Sequence, residues 1–140
     1  MDRILASLQG LHFKYADQDL DAVVALEKRI SEAAQAGRTI TYSELVKGIT
    51  FQIPSVKNGQ PFPILQFSEF EQGLIGDFLG YINLRAYGER SLLPSALVVR
   101  KEDGQPSPTF FRWLEPLVDI DPFTFWVEEV KRLHAAAQAR

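Results

Sequence analysis

The sequence predicts an α+β fold that is mostly helical. Helix signals recur along the chain: two capping boxes, two proline-led helix starts, and apolar residues at helical spacing. Residues 95–101 combine apolar and β-branched side chains as a buried strand does, and Asp103 and Gly104 follow as the turn that closes it. At 140 residues the chain is expected to form one domain, 1–140, large enough to bury a core.

The first long helix is predicted to end at about Ala36. Asp17 or Asp19 can cap its N-terminus, and Gly37 stands where a C-terminal cap glycine belongs. Before this helix, residues 1–9 suit either a short helix or an edge segment. The apolar positions expected to face the core are Leu20, Val23, Val24, Leu26 and Ile30.

Two capping boxes predict the next two helices. In residues 41–44, Thr-Tyr-Ser-Glu, the threonine and glutamate side chains can each bond the other's backbone amide, which opens a short helix ending at Gly48. Residues 68–71, Ser-Glu-Phe-Glu, open a helix to about Tyr87 or Gly88 in the same way. Its glycines each cost about 1 kcal/mol of helix propensity, so we expect another backbone to approach closely there. They are Gly73, Gly76 and Gly80.

An unusual segment, residues 49–67, separates these helices. Asn58 and Gly59 favour the tight turn of a hairpin, and the prolines confine any strand here to an edge. We interpret the segment as a protruding hairpin or flap that contacts a partner, and a packed loop over apolar surface is the alternative. The residues expected to form the partner-binding flap are Pro54, Val56, Lys57, Asn58, Pro61 and Phe62.

The C-terminal third is predicted to contain two helices. Ser107 and Pro108 open a short aromatic helix, and Asp121 and Pro122 open the last one, residues 122–138. Helical spacing predicts an inner face and a solvated outer face, with Phe125 as an exposed contact between them. The inner set is Phe123, Trp126, Val127, Val130 and Leu133, and the outer set is Glu128, Glu129, Lys131 and Arg132.

Composition limits the possible functions. The chain has no cysteine, which excludes disulfides, thiol nucleophiles and cysteine zinc sites. His12 and His134 do not stand at metal-ligand spacing, so neither a metal nor a cofactor is predicted. No stretch is apolar enough to span a membrane and no signal peptide is visible, so we expect a cytoplasmic protein without a membrane partner. The net charge of −3 argues mildly against a dedicated nucleic-acid binder.

Three motifs follow one another in the middle of the chain. They are Ile-Thr-Tyr-Ser-Glu-Leu at 40–45, Gly-Leu-Ile-Gly at 73–76, and Pro-Ser-Ala-Leu-Val-Val at 94–99 with its Asp-Gly turn. In this order they resemble the C-terminal domain of the O6-alkylguanine DNA alkyltransferase family. The resemblance covers residues 38–111 and implies a winged-helix-like core, with 49–67 as an insertion and 122–138 as an added helix.

The resemblance implies that the fold is kept and the chemistry is lost. The family motif Pro-Cys-His-Arg-Val-Val carries the reactive cysteine, and here Ser95 and Ala96 occupy the cysteine and histidine positions. Ser95 is therefore a vestigial reactive position, because a serine without a neighbouring base is a poor nucleophile. The family tyrosine that touches the DNA backbone carries over as Tyr42, whereas Gly73 replaces the arginine that fills the vacated base stack.

These observations predict a small non-enzymatic binding protein. The first hypothesis is a nucleic-acid-binding or accessory module that contacts DNA phosphates. The alternative is an immunity- or antitoxin-like protein that neutralises a basic protein partner, which the acidic chain ends and the flap suggest. An enzyme is the third option, and no constellation of residues supports it. The predicted phosphate contacts are Tyr42, Ser43, Lys47, Arg85, Arg90, Arg100 and Lys101.

Overall fold

The computed structural model describes residues 2–139 and has the predicted α+β fold, mostly helical. The helices are α1 Arg3–Gln9, α2 Leu20–Gln35, α3 Tyr42–Val46, α4 Glu69–Arg90, α5 Pro108–Leu114 and α6 Pro122–Gln138. The strands are β1 Ile40–Thr41, β2 Thr50–Phe51, β3 Phe62–Pro63 and β4 Val98–Val99. Strand β1 pairs in parallel with β4, and β2 pairs antiparallel with β3. Within 2–139, no helix is long and apolar enough to cross a lipid bilayer.

The predicted helix starts are confirmed. Asp19, not Asp17, caps α2, because Asp17 lies in a preceding 3-10 turn. The N-terminal segment forms α1, and helix α4 runs to Arg90, beyond the predicted end. At the predicted helix starts, Asp19, Thr41 and Asp121 each accept a backbone N–H of the first turn, and the carboxylate of Glu71 accepts the N–H of Ser68. Asp2 caps α1 in the same way.

The strand predicted at 95–101 is mostly wrong. Only β4 pairs with another strand, and Pro94–Leu97 form a 3-10 turn instead. The backbone N–H of Ser95 donates to Asn83 Oδ1 at 3.1 Å, so it is unavailable for a strand ladder. The predicted turn after the strand is confirmed, since Gly104 has φ of 67° and the N–H of Arg100 donates to the carbonyl of Gln105 at 2.7 Å.

The segment 49–67 packs on the core and does not protrude. Most of its apolar side chains are buried, and the ring of Phe51 meets that of Phe78 in α4 edge-on at 5.5 Å between centroids. Leu65 is an exception and is exposed. Val56 and Phe62 are buried as well, so these two of the six predicted flap contacts are wrong. The exposed members of that set are Pro54, Lys57, Asn58 and Pro61.

Short hydrogen bonds hold this segment in place. The buried carboxylate of Asp19 accepts the N–H of Gln52 at 2.8 Å, in addition to capping α2. The predicted tight turn is present and begins one residue early, because Lys57, Asn58 and Gly59 all have positive φ. The alternative of a packed loop over apolar surface is therefore confirmed.

Two clusters of buried side chains form the core. The larger one joins α2, α4, segment 49–67 and β4. The smaller one lies where α1 and α5 meet, and its fully buried members are Ile4, Leu8, Leu93 and Leu114. Leu20 and Val24 were expected to face the core, but they are 52% and 58% exposed, because α2 turns Ala22, Val23 and Leu26 inward.

The predicted faces of α6 need three corrections. Glu129 was placed on the solvated face, but it is 1% exposed and accepts the N–H of Leu93 at 2.8 Å. Phe123 was placed inside and is 46% exposed, whereas Phe125 packs partly buried against the smaller cluster. The helix is thus rotated relative to the predicted stripe, because its inward contacts include the backbone that precedes β4.

Candidate binding groove along helix α4

An open groove of about 1040 Å³ runs along α4. Its lining comes from α1, the start of α3, one face of α4, α5, and the segments around Ser95 and Arg100. A volume of this size is at the upper end of ordinary ligand pockets, about 300–1,000 Å³. We call this feature the α4 groove.

One face of α4 that lines the groove lacks side chains over two turns. Four groove residues lie on the same helical face, because they follow one another at spacings of three, four and three residues. They are Gly73, Gly76, Gly80 and Asn83. The expected close approach of another backbone is wrong. A Cβ placed on Gly73 or Gly76 would meet no atom within 4 Å, and at Gly80 the nearest atom belongs to the ring of Phe13, at 3.2 Å.

A buried polar pair lies at the end of this bare face. Asn83 and Ser95 are 5% and 6% exposed, and both line the groove. The Asn83 amide donates to Ser95 Oγ at 2.8 Å, and its oxygen accepts the Ser95 N–H at 3.1 Å. An amide cannot act as a base toward a hydroxyl, so this arrangement suits hydrogen bonding to a ligand and not nucleophilic attack.

Basic side chains lie on the same groove. Arg100, Lys101 and Arg112 line it, together with the acidic Glu69 and Glu102. A hydrogen bond from Arg100 lowers the pKa of Asp103, and the same contact raises the pKa of Arg100. The Nε atom of Arg100 is buried and has no hydrogen-bond partner among residues 2–139.

Aromatic rings complete the lining. Tyr42 packs edge-on against Phe67 with 6.1 Å between ring centroids, and its hydroxyl accepts the N–H of Ser107 at 3.4 Å. Phe110 and Trp113 of α5 lie 6.2 Å apart, and the Trp113 indole donates to Ser7 Oγ at 2.9 Å. Tyr42 and Trp113 are thus each held by a ring contact and a hydrogen bond within the protein.

Eight residues were predicted as phosphate contacts or as the vestigial reactive position. Five of them meet at the groove and three do not. The five that line it are Tyr42, Ser43, Ser95, Arg100 and Lys101. Arg85 instead pairs with Glu27 at 3.7 Å, and Arg90 lines a separate cavity of about 170 Å³. Lys47 is exposed after the end of α3 and does not line the groove.

Sequence reasoning missed Asn83, Arg112 and Trp113 as groove residues. Asn83 had a usable signal, because it continues the glycine spacing of α4. Arg112 and Trp113 had none, since only the packing of α5 brings them to the groove.

The site residues do not form a metal centre. In the described part of the chain, no three His, Cys, Asp or Glu side chains are grouped closely enough to hold a metal ion. His134 is engaged with the carbonyl of Arg38, 3.1 Å from its Nε2. Comparison with protein-family models, with curated proteins and with solved structures finds no match to this chain.

Proposed function

We propose that this protein is a non-enzymatic nucleic-acid-binding module that binds through the α4 groove. The observation that carries the proposal is the position of three side chains: Tyr42 is distant in sequence from Arg100 and Lys101, and all three line one groove. Hydroxyl, guanidinium and ammonium groups are the usual protein donors to phosphate oxygens. The Asn83–Ser95 pair adds hydrogen bonding of the kind that reads a base edge.

The same groove supports a winged-helix-like arrangement related to the alkyltransferases. The three motifs of the resemblance, at 40–45, 73–76 and 94–99, each contribute lining residues to it. On this arrangement α3 and α4 form the helix pair, and the turn at Gly104 with its flanking residues forms a short wing. The segment 49–67 lies between the two helices in sequence and packs on the core, so it leaves the groove open.

The charge of the groove limits the strength of phosphate binding. Three basic residues line it against two acidic ones, and Asp103 partly neutralises Arg100. Each phosphate contact contributes about −0.9 to the slope of log K against log salt on duplex DNA, and about −0.7 on a single strand. Three contacts therefore predict a shallow slope, of magnitude about 2–3.

Charge removal on the groove tests this proposal. Lys101→Ala and Arg112→Ala are each expected to weaken binding to any sequence and to reduce the salt slope by about 1. Fluorescence anisotropy with labelled duplex and single-stranded DNA over a salt series measures both effects.

Arg90→Ala is the matched control, because Arg90 is exposed and lies off the groove. It should leave affinity and slope unchanged. Equal losses in all three variants would place the binding surface elsewhere, and salt-independent binding would contradict phosphate recognition.

One observation favours the immunity- or antitoxin-like alternative. Leu65, in segment 49–67, is 87% exposed, the highest exposure of any large apolar side chain among residues 2–139, and a partner that covers the segment would bury it. On this alternative, Leu65→Ser abolishes a stable one-to-one complex with a basic partner protein, as measured by sedimentation. Val24→Ser, at an exposed site on α2, is the control. Shortening of residues 54–63 is a poorer test, because it removes the buried Val56 and Phe62.

A further inference from the structure

Two glycines of α4 that line the groove, Gly73 and Gly76, are not required by the fold. Gly73 and Gly76 lie within a long helix, where glycine is the most unfavourable residue after proline. No neighbouring atom would obstruct a side chain at either position. Their effect is to leave bare helix backbone along the groove. A ligand can therefore lie against α4 more closely than any side chain would allow.

Polar groups at the groove still have unused hydrogen-bonding capacity. Ser95 Oγ accepts from Asn83 but donates to no atom within residues 2–139, although the side chain is 94% buried. The buried Nε of Arg100 is also without a partner in that part of the chain. A buried donor without an acceptor is unfavourable. Both groups are donors, so their missing partners are acceptors such as carbonyl or phosphate oxygens.

Aromatic rings beside the bare face favour a flat ligand. Tyr42, Phe67, Phe110 and Trp113 all line the groove and are only partly buried. Partly exposed rings provide stacking surfaces for unpaired bases, and every base has such a face. A paired base in a duplex cannot present its face to them.

We propose that the α4 groove binds an unpaired nucleobase of single-stranded nucleic acid. The base lies against the bare face at Gly73 and Gly76, and its carbonyl oxygen accepts from Ser95 Oγ. Arg100 Nε donates to the adjoining phosphate. This inference rests on the proposed function and names its ligand, a single strand in preference to a duplex.

The test compares strands that differ only in their bases. Anisotropy is measured at low salt with a short labelled oligothymidylate, with an abasic strand of the same length, and with a duplex of that length. Thymine carries carbonyl acceptors, so the oligothymidylate is expected to bind about tenfold more tightly than the abasic strand, the effect of roughly one stacked base. The duplex should bind no better than the abasic strand.

Paired glycine variants locate the site. Gly76→Leu fills the bare face and should abolish the advantage of bases over the abasic strand. Gly88→Leu is the matched control, since Gly88 lies on the same helix with open space around it and does not line the groove. Both variants should melt at or above the wild-type temperature, because leucine favours helix over glycine. Ser95→Ala is a second variant that should reduce the advantage without filling the groove.

Each outcome decides the inference. Equal binding to oligothymidylate and to the abasic strand overturns the inference that the groove binds a base, and so does tighter binding to the duplex. Either result leaves the proposed nucleic-acid-binding function standing. Binding to none of the probes at low salt overturns both and leaves the groove to another class of ligand, such as an extended peptide. If the folded Gly76→Leu variant still binds oligothymidylate more tightly than the abasic strand, the base does not lie against α4.

Discussion

Phe51→Ala is expected to lower the free energy of unfolding by about 3–5 kcal/mol. Phe51 is 0% exposed and packs against Phe62 and Phe78, with ring centroids 5.9 Å and 5.5 Å away. Its removal leaves a cavity that joins segment 49–67 to α4, and the surrounding core can only partly collapse into it. Urea denaturation monitored by circular dichroism measures the loss.

Phe123→Ala is the matched control for Phe51. Phe123 is 46% exposed on α6, so its truncation should change stability by less than about 1 kcal/mol. A small effect at Phe51, similar to that at Phe123, would mean that segment 49–67 is detached in solution and available as a flap.

Glu129→Ala is expected to destabilise the protein by about 1–3 kcal/mol. The carboxylate accepts the buried N–H of Leu93 at 2.8 Å and pairs with Arg132 at 2.6 Å. Alanine leaves that N–H without an acceptor, whereas Glu129→Gln keeps one. The glutamine variant should therefore be the more stable of the two in chemical denaturation.

The pH dependence of stability separates the charge of Glu129 from its hydrogen bond. Burial raises the pKa of Glu129 above its usual 4.5, against the opposing effects of Leu93 and Arg132. The folded state therefore binds this proton more tightly than the unfolded state, and the associated stabilisation is lost as pH rises from about 4.5 through the folded pKa. The free energy of unfolding of the wild type minus that of Glu129→Gln should therefore decrease as pH rises from about 4.5 through the folded pKa. A difference that stays constant or grows with pH would contradict the raised pKa.

The difference between two variants is the informative quantity, because other carboxylates oppose this trend. Backbone N–H donors lower the pKa values of Asp2 and Glu44, and the Ser68 hydroxyl lowers that of Glu71. These groups stabilise the fold as pH rises through their acidic range, and they are common to both proteins. Subtraction removes their contribution.

Local features of this fold were predictable, and long-range ones were not. A helix cap involves residues within one turn, so Thr41 and Asp121 could be found from spacing alone, and the cap of α2 was narrowed to Asp17 or Asp19. Glu129 follows Glu128 and is soon followed by Lys131 and Arg132, so it resembles a solvated position in sequence. Its acceptor role depends on Leu93, which lies 36 positions earlier in the chain.

The candidate site follows the same division. Tyr42 was predicted from a motif and Arg100 from its charge, and both line the groove. Arg85 and Arg90 were selected by charge alone, and helix α4 directs them away from it. The open space beside Gly73 and Gly76 had no counterpart in the sequence, because spacing cannot distinguish a face that another helix covers from one that stays bare.

The division of the core into two clusters has a consequence for hydrogen exchange. Among residues 2–139 the smaller cluster has four buried members, so α1 and α5 are held by fewer buried apolar side chains than α2 and α4. Regions with few buried contacts open by local unfolding before the whole domain does. Leu8 and Trp113 belong to that weaker region and line the groove, Phe110 packs against both clusters, and Ile75 belongs to the stronger one. Amide protons of α1 and α5 are therefore expected to exchange faster than those of α2 and α4, although α1, α4 and α5 all line the same groove.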